Sequence, residues 1–446
     1  MKNLLLLFTF SLNFIICSAP SQTVNDNLKV IVTTDGEFDD RCSMVRFLLY
    51  ANEFDVKGIV HTSSKFHWKG RGSVAGHQWH DVSWIEEHLE AYENVYDKLI
   101  VHSSTYPSPT YLRSIVAEGN IDLAGDMEHE TEGSQLIVKV LLENDDKPVY
   151  LQAWGGANTI ARALKTIDEK YPNRKKEVSQ KARLYLIMQQ DSTFEQYIKP
   201  NWPELTTLIS TAFPAIGYPW KKSIPDSLQH YYSSEWMNEY LFKGNGPLLE
   251  IYKNHLYGAR QTGAFISEGD SPAFMYSIPN GLNSKLDPSW GSWGGRFKEK
   301  NSTWQSAEDE EGLYQSIYRW IPAFQHDFAA RAKWCVSSNY HEANHPPQVR
   351  INCKEQLKAK PGEYIQIDAS SSTDPDGDTL NFNWWQYHEA GTYQKPIALD
   401  GAKTSSIRFK ISETAKPGQS LHIICEVSDN AYPSMTRYKR VVILIK

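Results

Sequence analysis

Four acidic side chains stand close together just after the first strand-like run of the chain. The sequence reads Asp35-Gly36-Glu37-Phe38-Asp39-Asp40 and then continues into a segment with helical spacing. Carboxylates this close repel one another unless a cation neutralises them, and calcium accepts six to eight oxygen ligands at ~2.3–2.6 Å in irregular geometry. Asp39 or Asp40 could instead cap the helix, but a cap explains one aspartate and not three. We therefore expect a metal site or another functional site in this loop.

The elements that must position the loop alternate between strands and helices. Apolar, β-branched runs predict strands at residues 28–34, 55–62, 148–154 and 183–189. Helical spacing follows at residues 42–51 and 157–167. This alternation predicts an α/β fold with a mostly parallel sheet flanked by helices. Because ligands collect at the carboxyl ends of such strands, the acidic loop stands where a binding site is expected.

The pattern changes near residue 344, where Asn344-His345-Pro346-Pro347 reads as a linker. Beyond it the helical periods disappear, and short strand-like runs are separated by turn clusters such as Asp374-Pro375-Asp376-Gly377-Asp378. This spacing predicts a β-sandwich. We expect an α/β domain at residues 26–343 and a β-sandwich domain at residues 346–446. The acidic turn could bind calcium, but it lacks an EF-hand spacing, and a plain turn is the preferred interpretation.

The first residues resemble an export signal. Lys2 precedes an apolar run at residues 4–17, which is shorter than the ~20 residues that a membrane span needs. Small residues follow it, so residues 1–22 are predicted to be a signal peptide and the protein to be secreted or periplasmic. A lipoprotein anchored at Cys17 is disfavoured because Ile16 is not small. Export permits disulfides, and Cys353 and Cys425 could pair or remain buried thiols.

Composition excludes several classes of protein. The 446 residues carry 46 Lys and Arg against 53 Asp and Glu, a formal charge of −7, which argues against a nucleic-acid surface. After the leader no segment is long and apolar enough to span a bilayer, so no stable membrane insertion is expected. The 14 Trp and 24 Tyr suit either sugar stacking or a large core. The oligomeric state stays open.

Several longer strings resemble a known bacterial family. They are VIVTTDGEFDD, YLQAWGGANTIARAL, GDSPAFMYSIPNGL, WGSWGGRF and SSTDPDGDTLNFNWWQYHEAGTY. Together they resemble the cellulose-binding proteins that combine a nucleoside-hydrolase-like domain with a C-terminal Ig-like domain. The resemblance implies a nucleoside-hydrolase-like parallel sheet followed by an Ig-like β-sandwich.

The resemblance also implies roles for individual residues. The first loop is similar to the aspartate signature of nucleoside hydrolases, although Thr33 stands where that signature usually begins with an aspartate. By this match calcium is held by Asp35, Asp40, Asp270 and the main-chain carbonyl of Trp154. Asp35 is then the general base that activates water, and Asp39 and Asp270 contact sugar hydroxyls.

Two further residues are candidates for substrate binding. His61 follows the second strand, near the edge of the sheet where ligands bind. Trp293 belongs to a glycine-rich loop, Trp290-Gly291-Ser292-Trp293-Gly294, whose tryptophans could form a sugar-stacking platform or could pin the loop to the body of the protein.

Two functions remain open from the sequence. The first is a secreted, calcium-dependent glycoside hydrolase that cleaves an N- or O-glycosidic bond of a glycan fragment or a nucleoside. The alternative is a non-catalytic cellulose- or polysaccharide-binding protein that uses the same acidic pocket. A base beside the ion favours the first, because binding alone does not need one. Thr33, together with the absence of an identifiable acid that could protonate the leaving group, favours the second.

Overall fold

The computed structural model describes residues 27–254 and 265–446 of the chain. The predicted signal peptide at residues 1–22 lies outside the described residues. Within the described part, no helix combines the length and the apolar character that crossing a membrane requires.

An eight-stranded sheet forms the centre of the N-terminal part. Its strands are β1 (Leu28–Thr34), β2 (Phe54–His61), β5 (Val116–Glu118), β6 (Val149–Ala153), β7 (Ala182–Ile187), β8 (Thr206–Ser210), β9 (Phe297–Lys300) and β10 (Thr303–Ser306), with the hairpin β3 (Trp68–Arg71) and β4 (Val74–His77) outside it. The strand order is β5-β2-β1-β6-β7-β8-β10-β9. All neighbours pair in parallel except β9 and β10. The predicted α/β class is confirmed.

Helices cover both faces of this sheet, which explains why its central strands are continuously apolar. In β1, Val30 and Val32 join the core on one face and Ile31 joins the core on the other. The α-helices are α1 (Phe38–Leu49), α2 (Ser83–His102), α3 (Pro109–Ser114), α4 (Glu132–Leu141), α5 (Asn158–Lys170), α6 (Lys175–Lys181), α7 (Lys199–Asn201), α8 (Trp220–Ser223), α9 (Ser234–Met237), α10 (Pro247–Asn254), α11 (Ser271–Met275), α12 (Gln315–Tyr318) and α13 (Ile321–Trp334). Short 3₁₀ and π segments fill many of the connections.

The C-terminal part is rich in strands, as the sequence predicted. Its strands are β11 (Gln356–Ala359), β12 (Tyr364–Asp368), β13 (Asn381–Gln386), β14 (Ser406–Lys410), β15 (Ser420–Ser428) and β16 (Thr436–Ile445). They form a four-stranded sheet, β11-β16-β15-β13, and a two-stranded sheet, β12-β14. Their apolar faces share one core that includes Trp384. The order and the shared core are those of the predicted β-sandwich.

The other face of the four-stranded sheet packs on the α/β part. Tyr438 is buried between the rings of Trp293 and Trp320. Arg440 is also buried, and its guanidinium donates hydrogen bonds to the main-chain carbonyls of Leu282 and Gly291 at 2.7 and 2.9 Å. Buried polar contacts of this kind fix how the two parts meet.

Gly281 marks the closest approach between the two parts and supports a stability prediction. It has a φ of 96°, and a methyl group added there would stand 1.8 Å from the carbonyl oxygen of Tyr438. We expect Gly281→Ala to lower the free energy of unfolding by about 2–3 kcal/mol more than Gly418→Ala. Gly418 is the matched control because its φ is 86° and nothing lies within 4 Å of an added methyl group. Urea unfolding of the full chain measures both, and equal losses would contradict the close packing.

The cysteines of the described residues are unpaired. Cys353 and Cys425, which the sequence left as either a disulfide or two thiols, are free. Cys425 is buried in the sandwich core and Cys353 packs against the same core.

Candidate functional site

The loop after β1 brings two aspartates to the first turn of α1. Asp40 accepts hydrogen bonds from the Thr34 hydroxyl and from the main-chain N–H of Asp35, the latter at 3.2 Å. Asp39 accepts one from the Ser267 hydroxyl at 3.3 Å. Neither side chain caps α1, whose first turn has no side-chain cap. The structure therefore does not support the alternative that one of these aspartates caps the helix.

Asp270 reaches the same place from a distant segment. One carboxylate oxygen from each of Asp39, Asp40 and Asp270 lies within 4.8 Å of the other two. The segment that carries Asp270 is tethered by Glu268, which forms a buried ion pair with Arg46 of α1 at 2.5 and 2.8 Å. Helix α1 therefore supplies two acidic side chains and also the anchor for the third.

The turn after β6 closes the site from the other side. The Trp154 N–H donates to the carbonyl of Thr33 at 2.9 Å, which continues the pairing of β6 with β1. A methyl group at Gly155 would stand 2.8 Å from Cβ of Asp35, so only glycine allows this approach. The carbonyl of Trp154 accepts a hydrogen bond from the Gln190 side chain. Trp154 lines the same cavity as Asp39, Asp40 and Asp270.

Asp35 belongs to a second cluster, with Glu37 and His67. Nδ1 of His67 lies 3.7 Å from Oδ2 of Asp35 and 3.8 Å from Oε2 of Glu37. Burial alone would raise the pKa of Asp35, but the nearby His67 imidazole outweighs burial and lowers that pKa. The neighbour that supports the expected base is therefore His67. The Thr33 hydroxyl is buried and has no hydrogen-bond partner.

The remaining carboxyls of the site hold protons tightly. Burial, reinforced by the charges of Glu37 and Asp35, raises the pKa of Asp39 to about 8. Burial and neighbouring carboxylates also raise the pKa values of Asp40 and Asp270 well above the usual range. Oδ2 of Asp35 and Oδ2 of Asp270 are buried without hydrogen-bond partners. A hard cation suits this geometry, because it binds oxygen atoms and neutralises the charge of carboxylates.

These raised pKa values predict that a cation entering the site displaces protons. A carboxyl with a raised pKa holds its proton to a higher pH than usual, and a bound cation must expel that proton. We expect at least about one proton released per ion, shared among coupled groups, and an affinity that rises with pH through about 8. Calorimetry in two buffers of different ionisation enthalpy measures the proton count. Identical heats in both buffers would contradict the prediction.

Two neighbouring cavities lie at the acidic residues. The acidic pocket has a volume of about 320 Å³ and is lined by Asp39, Asp40, Trp154, Asp270 and apolar groups that include Phe66, Ile187, Met188 and Phe213. The outer chamber has about 620 Å³ and is lined by Phe38, His67, Gln78 and His80. Glu37 and Tyr218 line both cavities. Together they offer an apolar surface with convergent polar groups, as small-molecule sites do.

The structure brings Asp39, Asp40, Trp154 and Asp270 into one cavity, whereas Asp35, His61 and Trp293 are not among its lining residues. His61 is fully buried at the end of β2, lines neither cavity and stacks on Trp79 with 4.6 Å between ring centroids. Burial lowers its pKa to about 4. Trp293 is 0% exposed and packs against Phe324 and Tyr438. Its loop is pinned to the body, so Trp293 cannot stack on a sugar.

Sequence reasoning did not assign roles to several residues that line the site. Gln190 and Met188 follow β7, so the rule about carboxyl ends of strands could have identified them. Met188 has a φ of 48°, a backbone strain of the kind that clusters at ligand sites. Tyr218 lies in an irregular segment, and no local pattern identifies it.

Family models match both parts of the chain. The model described as "Cellulose-binding Sde182, nucleoside hydrolase-like domain" matches residues 29–297. The model described as "Cellulose-binding protein Sde0182, C-terminal domain" matches residues 364–445. No curated protein matches the chain.

Solved structures also resemble the chain. A nucleoside hydrolase-related hypothetical protein from Saccharophagus degradans, described as associated with carbohydrate metabolism, is 29% identical, with a TM-score of 0.77. The match covers 94% of this chain and 100% of that one. A purine-preferring ribonucleoside hydrolase from Gardnerella vaginalis is 12% identical over 68% of this chain and 99% of its own, with a TM-score of 0.31.

Proposed function

We propose that the acidic pocket is the active site of a calcium-dependent glycoside hydrolase. The chain belongs to the cellulose-binding Sde182 family with a nucleoside hydrolase-like domain. Its substrate is an N- or O-glycosidic bond of a glycan fragment or a nucleoside. The observation that carries this proposal is Asp35. A buried carboxylate with an unpartnered oxygen, held ionised by His67, stands beside the cluster of Asp39, Asp40 and Asp270.

The donor set fits calcium. The site offers carboxylate oxygens of Asp35, Asp40 and Asp270 and the carbonyl of Trp154, all of them hard oxygen ligands. Oδ2 of Asp270 and Oδ2 of Asp35 have no other partner. When bound, calcium would supply Lewis-acid activation of water and chelation of vicinal sugar hydroxyls.

The chain's own residues then have defined tasks. Oδ2 of Asp35 accepts the proton of the attacking water, which is general base catalysis. Asp39 accepts a hydrogen bond from a sugar hydroxyl and so fixes the ring in the pocket. The ionised carboxylates favour the positive charge that the sugar ring acquires as the glycosidic bond breaks. Direct attack by water forms the new bond to the anomeric carbon with inversion of its configuration. The leaving oxygen or nitrogen departs with the electron pair of the glycosidic bond and takes a proton from solvent, so that one water is consumed overall.

A glycan fragment is the preferred substrate over a nucleoside. The outer chamber beyond Glu37 and Tyr218 is larger than the acidic pocket, so it has room for a sugar as the leaving group. The leader-like residues 1–22 support secretion or a periplasmic location, where glycan fragments are available.

One observation favours the alternative, a polysaccharide-binding protein without catalysis. Residue 33 is a threonine whose hydroxyl has no hydrogen-bond partner, so Thr33 gives Asp35 no hydrogen-bond support. The alternative keeps the ion and the sugar contacts but removes the proton transfer.

A product screen tests the proposal. Native protein, chelated protein and Asp35→Asn are incubated with nucleosides and with plant-type oligosaccharides, and released sugars are quantified. We expect release by the native protein with calcium, inversion at the new anomeric centre by NMR, and losses of at least about 100-fold for the other two samples. Turnover indifferent to both chelation and Asp35→Asn would refute the mechanism, and no turnover at all would favour the alternative.

A further inference from the structure

A groove of about 350 Å³ lies at the junction of the two parts of the protein. Its walls come from the edge strand β13, its neighbour β15 and the segment around α12, and include Arg319, Asn383, Trp385, Gln386, His388 and Glu426. None of the residues that line this junction groove also lines the acidic pocket or the outer chamber. The groove is therefore a separate feature of the described chain.

The pleat of the sheet determines which side chains enter the groove. In the antiparallel pair of β13 and β15, Asn383 stands opposite Glu426, and Trp385 stands two residues further along on the same face. Trp384 points the other way, into the sandwich core. On β16, Tyr438 stands opposite Glu426 and is completely covered by the α/β part. Strand β13 lies at the edge of the sheet, where the α/β part no longer covers the sheet completely. Trp385 is therefore only half-buried.

The chemistry of the junction groove suits a sugar ring. The indole N–H of Trp385 donates to the Glu426 carboxylate at 3.2 Å, which fixes the plane of the ring. Nδ1 of His388 is buried without a hydrogen-bond partner. Nε of Arg319 also lacks a hydrogen bond, although it lies 3.4 Å from a carboxylate oxygen of Asp309. The Arg319 guanidinium lies over part of the Trp385 ring, 5.7 Å from its centroid, and the ring remains half-exposed. This exposed aromatic surface beside the free Nδ1 of His388 matches the apolar faces and polar edges of a carbohydrate.

The charges of the junction groove favour a neutral glycan. Three carboxylates, those of Glu310, Glu389 and Glu426, line it together with one guanidinium, that of Arg319. Arg319 is already paired with Glu389 at 3.1 Å. A polysaccharide that carries its own carboxylates would be repelled by this lining. A neutral chain of hexoses would not.

We propose that the junction groove is a carbohydrate-binding site that holds a stretch of neutral β-glucan, with Trp385 as the stacking platform. The choice of a glucan rests on the proposed function and on the description of the family, whereas the site itself rests on the geometry of the groove. The site would hold the protein on a polymer while the acidic pocket acts on a chain end or a released fragment.

Binding of cellohexaose and of insoluble cellulose tests the site. Trp385→Ala and the other variants of this test are each made in a full chain that also carries Asp40→Asn, which slows hydrolysis of the ligand. The native chain and Asp40→Asn alone are measured beside them by calorimetry and by co-sedimentation. We expect Trp385→Ala to weaken binding about tenfold. Glu426→Gln, which keeps the shape of the side chain, should weaken it about threefold. The matched control is Tyr364→Ala, which removes an aromatic that is 59% exposed on β12 of the other sheet, and it should bind as the parent does.

The outcomes separate this site from the proposed catalysis. Equal binding by Trp385→Ala, Glu426→Gln and Tyr364→Ala would overturn the groove proposal, as would no binding by a chain whose acidic pocket is native. Loss of binding on Asp40→Asn alone would move the glucan to the acidic pocket and would also overturn it. If the junction groove binds but no glycoside is ever cleaved, the proposed catalysis fails and the groove proposal stands.

Discussion

Replacing Asp40 with asparagine is expected to lower turnover by at least about a thousandfold and calcium affinity by more than about 100-fold. Asparagine keeps an oxygen for the Thr34 hydroxyl and the Asp35 N–H, which both donate to Asp40. The loop should therefore keep its shape while the site loses one negative charge. Released sugar and calcium calorimetry measure the two effects.

The control for Asp40→Asn is Asp378→Asn. Asp378 belongs to the other aspartate triplet of the described chain, with Asp374 and Asp376, so the control removes the same charge from a similar cluster. We expect its turnover to equal that of the native protein. If Asp378→Asn lost as much turnover as Asp40→Asn, the effect would reflect general charge, and the assigned site would be wrong.

Replacing Arg46 with methionine is expected to destabilise the protein by about 3–5 kcal/mol. The change leaves Glu268 fully buried without its cation, although Tyr252 and Ser271 still donate hydrogen bonds to it. An unpaired buried charge costs more than the pair contributes. Urea unfolding of the full chain measures the loss, and calcium affinity should fall as well because Glu268 anchors the segment of Asp270.

Two further variants identify the cause of that loss. Arg46→Met combined with Glu268→Gln removes the unpaired charge, so we expect it to regain about half of the lost stability. Lys199→Met breaks an exposed ion pair with Glu195, and the unfolding midpoint should not move. A double variant no more stable than Arg46→Met would show that packing, and not charge, explains the loss.

The regular elements of the fold were predictable because their patterns are local. The run at residues 28–34 coincides with β1, and the run at 148–154 contains β6. β5, β8, β9, β10 and β11 were not predicted, because each is only three to five residues long and so carries little periodic signal. The α/β class and the sandwich follow from such periods.

The site was predictable only in part, for a physical reason. Asp35, Asp39 and Asp40 are adjacent in sequence, so their type and spacing revealed the cluster. The contact between Asp35 and His67 depends on how the segment after β2 folds back over the sheet, which no local pattern encodes. Trp293 was misassigned because a glycine-rich tryptophan loop looks the same in sequence whether it faces solvent or the partner sheet. Its burial follows from Tyr438, far along the chain.

The junction shows the same limit. Trp384 and Trp385 are adjacent on β13, so the pleat of the strand turns them to opposite faces of the sheet. Trp385 contacts Arg319 of the α/β part. Neither segment alone predicts this contact. Long-range packing decides which exposed aromatic becomes a wall of a groove.

A crystal structure of the native chain with calcium tests the central claim most directly. We predict one ion bound by carboxylate oxygens of Asp35, Asp40 and Asp270 and by the carbonyl of Trp154, at ~2.3–2.6 Å. If the ion were bound only by Asp39, Asp40 and Asp270, with Asp35 still beside His67, the proposed base would not be a metal ligand. That result, or a site that takes no calcium at saturating concentration, would contradict the account.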